Sequence, residues 1–116
     1  MDKRFVIGIF IALLISVPAF AAKITYTPSQ LRHMVESGHP PAQKKQPTVV
    51  SKHMSFAACV ATVRAAIDAV QPEYPTDVIV NTSMMFMGKM WANDGVVLMT
   101  CSKPDRKLVL LRDEYQ

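Results

Sequence analysis

The chain has 116 residues, 13 Lys and Arg against 9 Asp and Glu for a formal charge of +4, and only four glycines and two cysteines. So short a chain excludes more than one ordinary domain, and four scattered glycines exclude a glycine-rich phosphate loop. The basic residues are spread among loops without interleaved aromatics, which argues against a nucleic-acid partner.

Asp2, Lys3 and Arg4 open the chain, Phe5 to Val17 is an apolar run, and Pro18, Ala19, Phe20, Ala21 and Ala22 close it. A charged start, apolar centre and small-residue end is the layout of a secretory signal peptide. The run is shorter than the ~20 residues that cross a bilayer. Cleavage is expected after Ala21, so residues 1–21 are assigned to the signal peptide and the remainder to the periplasm, without stable membrane insertion. Loss of Asp2, Lys3 and Arg4 lowers the formal charge by one.

After Ile24, Thr25 and Tyr26, a short helix is punctuated by Thr27 or Ser29 as cap, Pro28 in the first turn and Gly38 as the stop. Leu31, Met34 and Val35 fall at helical spacing and give it one apolar side. His39 to Pro47 carries three prolines and two lysines and reads as an extended, solvated linker. Residues 22–47 are therefore an N-terminal arm, and 48–116 the domain proper. Thr48, Val49 and Val50 are β-branched and can add a short strand.

Ser55 to Gln71 has the clearest periodicity. At 100° per residue, Phe56, Cys59, Val60, Val63, Ala66, Ile67 and Val70 fall within one arc of roughly 120°, a core-facing stripe. Ser55 is the cap and Pro72 the stop. Arg64 and Asp68, spaced i, i+4 on the other side, are expected to pair weakly in solvent.

Beyond Pro75 the pattern becomes extended: Asp77–Thr82, Met84–Ala92, Val96–Ser102 and Lys107–Asp113, with hairpin chemistry at Asn93–Gly95 and a turn at Lys103–Arg106. The expected fold is α+β, one main amphipathic helix packed on a three- to four-stranded antiparallel sheet. Cys59 lies in the helix stripe and Cys101 ends a strand, so an exported chain predicts a disulfide between them. Cys101 facing the helix would bring Met99 and Val97 with it and send Val96, Leu98 and Thr100 to the opposite face.

That second face is too apolar for plain water. Val96 and Leu98, with Val109 and Leu111 or Leu108 and Leu110, form a patch that monomers seldom expose. Either the N-terminal helix folds over it, or a second copy or another protein does. Trp91, beside the hairpin, is a further contact residue, and Leu31 and Met34 make the arm a second contact element. The methionines Met84, Met85, Met87 and Met90 supply soft thioethers that suit Cu(I) or Ag(I), and equally fill adaptable cores.

His33, His39 and His53 lie apart from any nucleophile, and Asp68, Glu73, Asp77 and Asp94 fall on a solvent face or at turns, so no catalytic constellation and no cofactor is expected. The layout resembles that of small periplasmic accessory, inhibitor and immunity proteins of Gram-negative bacteria, including ones encoded beside secretion or conjugation machinery. That resemblance is of architecture and transfers no residues. The expected function is protein binding by a small exported accessory protein; the alternative is a periplasmic soft-metal binder using the methionine run.

Overall fold

A computed structural model describes residues 23–116, and the expected signal peptide lies outside them. In chain order the elements are α1 (Pro28–Glu36), β1 (Thr48–His53), α2 (Phe56–Val70), β2 (Thr76–Asn81), β3 (Met85–Ala92), β4 (Gly95–Ser102) and β5 (Lys107–Glu114). The fold is α+β, with one antiparallel sheet in the order β1-β5-β4-β3-β2.

The expectation of three to four strands falls short. Thr48, Val49 and Val50 do begin a strand, which runs on to His53 and pairs with β5 along its whole length. Lys52 and His53 obscure it in the sequence, because an edge strand exposed on every residue shows no inside–outside alternation.

Local chemistry fixes both helix starts. Thr27 Oγ1 accepts from Gln30 N while Gln30 Oε1 accepts from Thr27 N, a reciprocal capping box ahead of Pro28. Ser55 Oγ accepts from Ala58 N at the head of α2. α1 stops at Gly38, whose φ of +82° suits glycine, as His39 N reaches back to Met34 O.

α2 lies across β3, β4 and β5. Its stripe residues Cys59, Val63 and Ile67 meet Phe86, Met99, Cys101 and Leu108 in the main core. Met90, Val97 and Leu110 flank them, as the alternation from Cys101 requires. The Cys59–Cys101 disulfide is formed and links elements 42 residues apart in sequence. Arg64 and Asp68 do not form an ion pair; the Arg64 guanidinium lies 4.6 Å from the centroid of the Phe86 ring. An aromatic face flanking the helix holds the cation more firmly than a solvated carboxylate one turn away.

Residues 39–47 are not a free linker. Lys44 N donates to Glu114 O and Gln116 N to Ala42 O, while Gln43 bridges to Tyr115. The buried carboxylate of Asp113 accepts from Lys45 N at 3.0 Å and Gln46 N at 3.1 Å. The prolines remove donors only at their own positions. The four residues between Pro41 and Pro47 that bridge or donate therefore remain free to extend the β1–β5 ladder past the left-handed Lys45 (φ 63°).

Candidate interaction surface

The register sorts the sheet into two faces. Opposite α2 stand Trp91 and Val96, Lys89 and Leu98, Met87 and Thr100 as cross-strand pairs, followed by Leu111 beside Leu98 and Val109 beside Thr100. Val49 extends the row through its pairing with Leu111.

α1 covers one end of this outer face. Leu31 is fully buried in a second core with Trp91, Val96 and Tyr115, and Tyr26, Val35 and Tyr74 pack around it. Tyr115 Oη donates to Ala92 O at 2.6 Å, and its ring meets Tyr26 edge-on at 5.2 Å. The arm is anchored ahead of the helix by Tyr26 N donating to Asn93 O and at the middle of the helix by the Arg32 guanidinium donating to Glu73 O.

Three of the five expected contact residues are therefore spent inside the chain. Leu31, Trp91 and Val96 are 0%, 7% and 4% exposed, because the apolar side of α1 finds its complement at the hairpin end of the sheet. Met34, also on α1, stays half-buried, and Leu98 is half-buried on the uncovered part of the face.

Of that uncovered part, the sequence names Leu98, Val109 and Leu111, and the other members join it only in the fold. It comprises Ile79, Met87, Leu98, Val109, Leu111 and Val49, with Ile79 47% and Val49 59% exposed. A shallow cavity of about 150 Å³ opens in its middle, lined by Ile79, Leu98, Leu111 and Val96 with Lys89, Gln43 and Asp113 at the margins. Lys89 leans over the Trp91 ring, its Nζ 4.7 Å from the centroid, so its charge borders the cavity without filling it. The signal for Ile79 is hidden in sequence: a bulge between Val78 and Val80 shifts the register of β2, and alternation cannot be read through a bulge.

The methionine run is divided by the same register. Met85 and Met87 stand on the outer face, Met84 is exposed in the turn, and Met90 packs against the main core beneath α2. The sheet thus separates Met90 from the other three thioethers. Among the described residues no group of three or more His, Cys, Asp or Glu side chains could hold a metal ion, and none of the described helices is long and apolar enough to cross a membrane.

The charged residues collect instead around the β3–β4 hairpin. Arg112 and Lys23 reach Asp94, and Lys23 and Lys44 reach Glu114 at 3.3 and 3.0 Å. Hydrogen bonds from Lys44 and Lys23, together with their charges, hold the Glu114 carboxyl below its ordinary value.

Comparison with protein-family models, with curated proteins and with solved structures finds no match to this chain. The residues and their arrangement carry the functional argument.

Proposed function

We propose that this is a small exported accessory protein that acts by binding another protein, without catalysis, through the outer face of its sheet. The observation that supports this reading is the partial cover. α1 buries the Trp91–Val96 end, yet Ile79, Met87, Leu98, Val109 and Leu111 continue the same apolar surface into solvent. A fold that needed only to shield its sheet would extend the cover over Leu98. An apolar floor with a shallow central cavity and a polar margin is the anatomy of a recognition patch. The cavity has room for one apolar side chain of a partner, the kind of anchor that dominates binding energy. The disulfide fits an oxidising compartment, which supports the periplasmic assignment drawn from the N-terminal sequence.

Site-specific photo-crosslinking in the producing cell tests the reading. A crosslinker at Leu98 or Leu111 should give a discrete adduct with a different protein, absent when it is placed at exposed Ala65 on α2 and lost in the Leu98→Glu or Leu111→Glu context on the neighbouring position. Equal labelling from position 65, or no heterologous adduct from 98 and 111, overturns it.

A further inference from the structure

The sheet has two free edges of different character. β2 is interrupted by its bulge and carries Asp77, the devices by which edge strands resist pairing. β1 carries one such device, Lys52, but no bulge: Thr48 to His53 keeps one unbroken register with β5. All six residues are exposed, and apolar side chains stand on both surfaces of the strand, Val50 on the α2 side at 61% and Val49 on the outer side at 59%. α2 lies over β3, β4 and β5, and every residue of β1 stays exposed.

The backbone direction of this edge follows from one contact. Met54 N donates to Arg106 O, and antiparallel pairing alternates between residues that exchange bonds with the neighbour and residues that turn away. Lys52, Val50 and Thr48 therefore bond to β5, while the N–H and C=O groups of Val49, Ser51 and His53 point outward from the sheet.

We propose that β1 is a self-association edge, where two copies join antiparallel through Thr48–His53 with Val50 at the two-fold axis, making one sheet continuous across both. Only residues that turn outward can exchange bonds, so Val49 must face Ser51 of the second copy or another outward residue. The Val50-centred register places Val50 against Val50 in the close, non-hydrogen-bonded position. It sets Lys52 opposite Thr48 and His53 opposite Pro47 of the second copy, so like charges do not meet. A Ser51-centred register would bring the two Lys52 side chains onto neighbouring diagonals of one surface, which disfavours it. The edge shares only Val49 with the Leu98 patch, and position 50 lies on the opposite surface from Leu98, so the two readings are tested separately.

Light scattering on the protein with its disulfide intact, at on the order of 100 µM, should give twice the monomer mass. Val50→Lys and Val50→Glu should each give a monomer with an unchanged melting temperature, because position 50 is exposed, and mixing the two should restore the doubled mass. Leu98→Glu should leave the mass doubled. The register is tested by cysteine. Both native cysteines are in the disulfide, so Val50→Cys adds a single thiol that should oxidise to a linked dimer at least tenfold faster than Lys52→Cys. A monomeric wild type, a Val50→Lys variant that still doubles, or equal crosslinking from positions 50 and 52 overturns the proposal.

Discussion

Gly88 lies directly beneath Ile67: a Cβ added to Gly88 would stand 2.9 Å from Ile67 Cδ1 and 3.0 Å from Val63 Cγ1. The missing side chain at Gly88 therefore leaves the space that Ile67 and Val63 of α2 occupy against β3. Both obstructing atoms are tips of side chains, so Gly88→Ala should be accommodated within about 1 kcal/mol, its relief of unfolded-chain entropy offsetting the crowding. Gly88→Val drives a branched side chain into the same contact and should destabilise by about 1–3 kcal/mol. Urea midpoints of the two variants check the ordering; equal midpoints would mean that the helix shifts freely over β3.

The Cys59–Cys101 bond closes a loop of 42 residues between the centre of the α2 stripe and β4. Replacing both cysteines by alanine should cost about 2–4 kcal/mol, mostly by freeing the unfolded chain. For a domain of this size each kcal/mol moves Tm by about 4–8 °C, so reduction should lower Tm by roughly 8–32 °C. A melt insensitive to reductant would show that the core formed by Val63, Phe86 and Leu108 suffices alone.

Asp113 holds residues 45 and 46 through both carboxylate oxygens. Asp113→Ala leaves those two amides without their acceptor and should cost about 1–3 kcal/mol. Hydrogen exchange at Lys45 and Gln46 should accelerate sharply, with β3 amides little changed. Uniform acceleration through the sheet would place Asp113 among the global determinants of the fold instead.

Two ionisable groups set opposite limbs of the pH profile. Burial, reinforced by the Asp94 carboxylate and by Tyr26, raises Tyr115 above its ordinary value of 10.0. The neutral phenol is favoured in the fold, so its contribution is complete below pH 10.0 and is lost as pH rises past that value towards the folded pKa. Glu114 is lowered below 4.5, so its contribution is present above 4.5 and lost as pH falls through the depressed value. Tyr115→Phe should cost about 1 kcal/mol at neutral pH through the lost bond to Ala92 O and should flatten the alkaline decline of Tm. Glu114→Gln should flatten the acid decline, with salt reducing the difference. Unchanged limbs in both variants would assign the profile to other groups.

Several elements were legible because their chemistry is local. The α2 stripe, its Ser55 cap and its Pro72 stop lie within one short stretch, and α1 is framed by Thr27, Pro28 and Gly38 in the same way. The disulfide was legible from two cysteines, one in a core stripe and one at a strand end. Gly95 was read as hairpin chemistry and does sit at the β3–β4 turn, but for a reason no local pattern holds: a Cβ there would stand 2.5 Å from Asp113 O of β5. The full length of β1 was hidden because it has no buried side, and Ile79 because of the bulge.

The apolar character of the outer sheet face was fixed by sequence alone, since alternation around Cys101 sends Val96 and Leu98 away from α2 whatever the rest of the chain does. How that face is divided was decided only by tertiary structure. Leu31 of α1, Trp91 and Val96 of the β3–β4 hairpin and Tyr115 just past β5 come from three separated parts of the chain, and their mutual burial depends on where the arm crosses the hairpin. Side-chain alternation is a property of one strand and can be read from it; cover is a property of two surfaces meeting, and needs both in place.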